Sequence, residues 1–246
     1  MKIKKSITDD LIENGFTRIN CNNYELSKTE RESFNVFQNY YKSLPPDKFL
    51  HLVDPENIHN CYRYRRWGRY SLNPLNLSLK ELGHIPYNQS RKYNKNAGDI
   101  ERDFAPLTEG ILNNLFLKSL IINNFKLFPT SNSMMAKIWH VYVHLIKIST
   151  DHNGIGKPSP EGIHQDDVDF FSIHLIKKVN CDGGKAIIYN LKEIELERID
   201  LNRPLDSYYV IDSKLMHDVE DIFKRTNIGR AERSILILSF KSFINK

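Results

Sequence analysis

The pattern of apolar and polar positions changes period about half-way along the chain. Up to about residue 130, apolar residues recur at helical spacing between irregular stretches; from about 136 they alternate. Thr8 is placed to cap a short helix ending near Gly15. Ser27 and Glu30 have capping-box spacing and open a second helix that runs to about Ser43, ahead of Pro45 and Pro46. A third helix is expected from Thr108 to about Phe125, with Ile111, Leu112, Leu115, Leu117, Leu120, Ile121 and Ile122 giving it a broad apolar face. Residues 87–103, rich in Asn, Lys, Arg and Tyr, read as a mobile polar loop.

In the second half, residues 137–149 send Trp139, Val141, Val143 and Leu145 to one side and Ile138, His140, Tyr142, His144 and Ile146 to the other. Further strand signals cover 162–166, 169–177, 185–190, 207–211, 215–219 and 233–240, with turn punctuation at Gly183-Gly184 and Arg203-Pro204. Many short strands with short connections predict an α+β fold whose β part is a sandwich or double-sheet jelly roll, not a βαβ sheet. One domain is expected over 1–246, with a mainly helical part (1–130) packed on one face of a jelly-roll core (131–246).

Composition narrows the setting. With 40 % hydrophobic and 26 % charged residues the chain reads as an ordinary globular protein. No apolar run approaches the roughly 20 residues of a membrane helix. The basic start, Met1 to Lys5, leads into Ser-Ile-Thr-Asp-Asp and not into an apolar segment, so no secretory signal is expected. Cys21, Cys61 and Cys181 form no Cys-x-x-Cys pair, which argues against a disulfide framework or zinc ribbon and for reduced thiols in a cytoplasm. A net charge of +5 does not by itself imply nucleic acid and suits small anionic substrates equally.

The candidate chemistry starts at His164-Gln165-Asp166. On a strand, residues i and i+2 face the same way, so an imidazole and a carboxylate so spaced can grip one metal ion. With 9 His and 16 Asp in 246 residues, chance alone supplies about 0.6 such triplets, so context must carry the reading. His217 follows 51 residues after Asp166, in a strand-like segment that a jelly roll can return beside the first. Two His and one carboxylate on one face of a metal form the facial triad of non-haem Fe(II) oxygenases, with open positions for a co-substrate and O2. Arg233 opens the apolar run Arg-Ser-Ile-Leu-Ile-Leu-Ser-Phe240. Its planar fork matches a carboxylate, for which the far end of 2-oxoglutarate is a natural partner. Arg230 competes for that role, but the adjoining Gly229 suggests a loop.

These residues carry a resemblance. Gly162-Ile-His-Gln-Asp-Asp167, Ile173-His-Leu175, Gly183-Gly184, Pro204-Leu-Asp206, Met216-His-Asp-Val219 and Glu232-Arg-Ser-Ile-Leu-Ile-Leu-Ser-Phe240 resemble, in order and spacing, the bacterial 2-oxoglutarate/Fe(II) dioxygenase family that includes free L-isoleucine hydroxylases. Arg63-Tyr-Arg-Arg-Trp-Gly-Arg-Tyr70 and the His140 strand look like the family's Arg-rich and His-bearing segments; residues 1–60 match only in general character. The resemblance implies a double-stranded β-helix (cupin-like) core, Fe(II), 2-oxoglutarate and O2. It also implies hydroxylation of an aliphatic carbon of a small substrate, often a free amino acid. It carries His164, Asp166 and His217 over as iron ligands and Arg233 as the 2-oxoglutarate clamp.

Substrate contacts are expected from Arg63, Arg65, His140 and Asp167. Arg63, Arg65, Arg66 and Arg69, interleaved with Tyr62, Tyr64, Trp67 and Tyr70, admit three readings: a carboxylate clamp in a lid, basic and stacking contacts to nucleic acid, or a twisted, solvated strand. Asp167 either meets a substrate ammonium or is simply solvated, and His140 lines the pocket or belongs to a half-buried polar face. Residues 154–162 read as a loop that could gate the site. A peptide, a carrier-tethered aminoacyl group or a nucleoside stands as the other substrate reading. A non-catalytic metal-binding jelly roll is the alternative of another class, and an intact Arg233 speaks against it.

Overall fold

The structure, a computed structural model, describes residues 1–57, 61–94, 98–150 and 154–243. The first half contributes β1 (Lys2–Ile3), α1 (Thr8–Asn14), β2 (Phe16–Ile19), β3 (Tyr24–Glu25), α2 (Lys28–Tyr40), β4 (Arg63–Asn73), β5 (Ser78–Leu82), α3 (Glu109–Leu112), α4 (Leu115–Phe125) and α5 (Asn132–Met135). The second half is almost entirely strands. They are β6 (Ile138–Thr150), β7 (Phe170–Val179), β8 (Cys181–Gly183), β9 (Ala186–Asn190), β10 (Glu195–Ile199), β11 (Ser207–Ile211), β12 (Leu215–Val219), β13 (Ile222–Lys224) and β14 (Ala231–Phe243).

Seven strands form one antiparallel sheet in the order β2-β11-β7-β14-β6-β4-β5, and β10-β9-β12 form a smaller one. The alternation expected in β6 sorts the two faces of the large sheet. Trp139, Val141, Val143 and Leu145 join Leu236, Leu238 and Phe240 of β14 against Phe34 and Phe37 of α2 and Phe116 and Leu120 of α4. On the other face Ile146, Ile148, Phe171, Ile173 and Ile235 pack with Ile188 and Leu215 of the small sheet. The result is the expected α+β jelly roll with helices on one face. However, β2, β4 and β5 come from the first half, so the large sheet crosses the division expected near residue 130. No helix among the described residues is long and apolar enough to cross a membrane.

The helices follow their local signals with two corrections. Glu30 and Ser27 complete both halves of the capping box, an arrangement that contributes about 1 kcal/mol. Thr8 does not cap α1; it lies inside the first turn, and its hydroxyl donates to the Leu127 carbonyl (3.2 Å). The helix expected over 108–125 is broken at Asn113-Asn114. Asn114 caps α4 by accepting from Leu117 N (3.1 Å) and donates to Ser33 O (3.0 Å), which docks α4 on α2. A continuous helix would forfeit both bonds.

β4 is a strand but not a solvated one. It lies in the large sheet between β6 and β5, with Arg63 and Arg65 only 3 % and 7 % exposed. Tyr62, Trp67 and Tyr70 are buried too, and the half-buried Tyr64 ring is covered by Lys147 Nζ (4.6 Å), so the segment presents no row of exposed rings on which bases could stack.

His174 faces away from the cavity described below, into a closed polar network. Asn124 Nδ2 donates to its Nε2 (2.8 Å), and Tyr209 donates to Asn124 Oδ1 (2.9 Å). Burial pushes His174 down to about 3. The neutral ring is therefore favoured in the fold, while the unfolded chain takes a proton near 6.5. Its contribution is whole above about pH 6.5 and is lost as pH falls toward 3; at pH 5 the loss is about 2 kcal/mol. Urea midpoints measured from pH 7.5 to 5 should fall more steeply for the parent chain than for His174→Asn. Parallel slopes would contradict this.

Candidate active site

His164 and His217 meet through the smallest possible ladder. His164 N donates to His217 O (3.1 Å) and His217 N to His164 O (3.0 Å), an exchange that sets their rings 4.3 Å apart. The rest of the strand expected over 162–166 does not pair. Instead the chain wraps around Asp212, at the end of β11. Its carboxylate accepts from Asp166 N (2.9 Å) and Val168 N (3.1 Å), and its carbonyl accepts from Gln165 Nε2 (2.6 Å). Bonding to Asp212 outcompetes a regular ladder here, and it turns Asp166 toward both imidazoles.

Asp166 Oδ1 lies 3.6 Å from His164 Nε2, and its Oδ2 lies 3.9 Å from His217 Nε2. All three ligand atoms fall within 4.8 Å of one another, and no other such group gathers among the described residues. His164 Nδ1 is 2.8 Å from Gly162 O, which can only accept, so Nδ1 keeps its proton and Nε2 offers the lone pair. Burial alone would raise Asp166, but the His164 hydrogen bond and the charge of both imidazoles hold it well below the carboxylate range. Burial opposes the charge on His164, yet Asp166 carries it up to about 9. His217 is pushed down to about 4 by burial and by its charged neighbour. The trio thus holds one proton between His164 and Asp166, where a divalent cation would take its place.

Arg233 is buried in β14, 1 % exposed, and its Nε and Nη1 have no hydrogen-bond partner. Burial lowers its pKa. The Tyr208 hydroxyl on the same side of the sheet is likewise buried and unbonded. Gly184 makes the room: a Cβ there would sit 2.8 Å from Arg233 Cδ. Arg230, the competitor, is exposed.

The triad opens into a cavity whose far wall comes from the first half of the chain. Arg63, Arg65, Tyr87, Gln89, Arg102 and His144 line it, as do Pro158, Ser159 and Glu161 of the loop before His164. Arg63 is held by Asp47 (2.8 Å) and Glu161 (3.4 Å). Arg65 Nη2 bonds His144 Nδ1 (2.8 Å). The polar loop expected over 87–103 is present, exposed at Asn88, Ser90, Arg91, Lys92, Asp99, Glu101 and Asp103, but it is anchored by buried Gln89, Asn94 and Arg102 (residues 95–97 lie outside the described ones). Gln89 Oε1 accepts from both Asn94 Nδ2 (3.1 Å) and Arg102 Nη2 (3.1 Å), a pairing that composition does not reveal. His140 does not reach the cavity; its ring lies against Phe243, 4.4 Å away, and His144 occupies the position expected for it. Asp167 is neither free nor simply solvated. It pairs with Lys241 (2.8 Å), and both line a second hollow that shares Asp166, Gln89, Tyr87 and His144 with the first.

A sequence profile of the 2OG-Fe dioxygenase family matches residues 38–239. The chain belongs to that family. It is 27 % identical over 198 residues to a 3(1)-hydroxy-L-isoleucine 4-dioxygenase of Pantoea ananatis, covering 77 % of this chain and 76 % of that one. Among solved structures it is similar to a bsmA homolog from Methylobium petroleophilum PM1, with a TM-score of 0.80, 25 % identity, and coverage of 95 % and 91 %. It also matches IDO from Bacillus thuringiensis, with a TM-score of 0.77, 18 % identity, and coverage of 98 % and 96 %. This 2OG-Fe dioxygenase is thus an oxygenase enzyme whose family uses Fe(II), 2-oxoglutarate and O2.

The residues present fit those groups. Two imidazole nitrogens and a carboxylate are a donor set suited to Fe(II) that leaves coordination positions open. The unbonded donors of Arg233 fit a buried carboxylate. Sequence reasoning missed Asp212, whose only signal is an acid after a strong strand. Asp212→Ala should weaken metal binding about 10–100-fold by loosening Asp166, while the fold is kept. A Mn(II) titration that matches the parent chain would refute this.

Proposed function

We propose that this oxygenase hydroxylates an aliphatic carbon of a free L-amino acid or a closely related small metabolite. The observation that carries the reading is the cavity itself, which joins the His164–Asp166–His217 trio to buried arginines in a space enclosed by the loop before His164. A relative whose name gives an isoleucine derivative as substrate supports the same class. In this reading His164 Nε2, Asp166 and His217 Nε2 hold Fe(II), and Arg233 takes the far carboxylate of 2-oxoglutarate. Arg233 precedes Ile235 and Ile237 on β14, and both line the cavity. When bound, Fe(II) with 2-oxoglutarate and O2 supplies the oxidising power for C–H hydroxylation, with succinate and CO2 released.

The protein's own part is to orient and enclose. Gly162 O fixes the His164 tautomer, Asp212 fixes Asp166, and Ile146, Ile173, Ile235 and Ile237 give the cavity an apolar wall. The three cysteines are unbridged, in keeping with a cytoplasmic setting. The test is a screen of free L-amino acids that follows substrate-stimulated succinate release together with a mass gain of one oxygen. Silence across the whole set would overturn the free amino acid and leave a peptide, tethered or nucleoside substrate.

A further inference from the structure

Arg102 is a buried cation without an acid. It is 2 % exposed, and its Nε has no hydrogen-bond partner. The one hydrogen bond of its side chain among the described residues is Nη2 to Gln89 Oε1 (3.1 Å), a neutral acceptor. Arg65, across the same cavity, is nearly as poorly matched. The carboxylate nearest to it, Asp47, lies 3.7 Å away and is already held by Arg63 at 2.8 Å. Its closest partner, His144, is kept uncharged by burial and by the positive charge of Arg65 and Arg102. The Nε of Arg65 is also unbonded, and burial pushes this guanidinium down to about 10.

The charges in this wall do not balance. Among the described residues Arg63, Arg65 and Arg102 face only Asp47 and Glu161, because Asp166 is committed to the two imidazoles. One positive charge is left over in a buried place. A buried ion without a counter-charge is costly, and an arriving anion would offset that cost. The two forks are also held in shape. Phe104 lies 3.7 Å from Arg65 Cζ and 5.6 Å from Arg102 Cζ, and Tyr87 lies 5.1 Å from Arg102 Cζ. Rings against both guanidiniums leave their edges as the donors on offer.

We propose that Arg65 and Arg102 together hold the carboxylate of the substrate. This rests on the hydroxylase reading above and deepens it: recognition is of a carboxylate, separate from the one assigned to Arg233. Gln89 joins this anchor to the metal site. Its Oε1 accepts from Arg102 and its Nε2 donates to Asp166 Oδ1 (3.4 Å). The anchor is therefore one carboxamide away from a metal-binding carboxylate, and the carbon that reacts lies a short aliphatic reach from the acid group. That favours a small amino acid over a peptide whose carboxylate is capped or distant.

The test is calorimetric and needs no turnover. The protein, loaded with Fe(II) and 2-oxoglutarate without oxygen, is titrated with the free L-amino acids and with 3-methylpentanoate. The primary amide of each binder is then titrated in turn. Acids should bind at least about tenfold more tightly than their amides, because the amide loses the charge-assisted pair. Arg102→Gln should weaken the acids by about tenfold or more, Arg102→Lys by less, and neither should shift 2-oxoglutarate affinity beyond about twofold. Amides that bind as well as acids, or no acid that binds at all, would overturn the proposal in the unaltered chain, independently of how any variant folds. An Arg102→Gln effect equal on 2-oxoglutarate and on the acids would overturn it as well. Failure of the unaltered chain to bind 2-oxoglutarate strikes instead at the hydroxylase reading, and the acid–amide comparison still judges the arginine pair.

Discussion

Replacing His217 by alanine is expected to remove 2-oxoglutarate turnover. Even groups that only support a metal ligand typically cost about 10–100-fold in affinity when lost, so deleting a ligand should exceed that and drop succinate formation to background. The fold should survive. The bridge between His164 and His217 is made by main-chain atoms, which alanine retains. The cost is the packing of a ring that is 5 % exposed and 4.7 Å from Phe171, on the order of 2 kcal/mol. Mn(II) binding, succinate release and a urea transition, measured on the same sample, separate the two effects. Succinate released at the parental rate would end the assignment of His217 to the metal.

Arg233→Met is expected to move stability and ligand binding in opposite directions. The guanidinium is buried with two unbonded nitrogens, and burial already depresses its pKa. A hydrophobic residue of similar length in place of a buried ion is often neutral or stabilising by about 1–4 kcal/mol. The ligand-free variant should therefore melt at or above the parental temperature. The same change removes the partner of a buried carboxylate, which costs about 2–5 kcal/mol, or roughly 30- to several-thousand-fold in 2-oxoglutarate affinity. The parent should gain melting temperature with 2-oxoglutarate and the variant should not. A variant that melts earlier yet still responds to 2-oxoglutarate would make Arg233 an ordinary buried cation.

How much of this was legible in the sequence depended on whether the signal was local. The alternation of β6 reports its two faces directly, because each side chain in it meets one solvent or one core. The capping box of α2 is complete within four residues. The His164 and His217 pair was readable only as two segments that a jelly roll returns to each other. The device that turns Asp166 toward them, Asp212, is bonded to backbone 44 and 46 residues away and leaves no local pattern. In segment 87–103 the polar loop was legible and its buried anchors were not: Gln89, Asn94 and Arg102 have the composition of solvated residues, and the other two reach Gln89 Oε1 only in the fold. In β4, charges at alternate positions mimic an exposed face because their partners, Asp47, Glu161 and His144, come from elsewhere in the chain.

The place of β14 has a consequence for how the molecule comes into being. It is the last strand described, yet it lies in the middle of the large sheet between β7 and β6, and it bears Arg233. β6 and β7 therefore have no neighbour to join them until this last described strand is in place. Long-range pairings of this kind form late because loop closure must come first. The strand that bears the proposed co-substrate arginine therefore completes the large sheet by inserting between two strands that precede it in the chain.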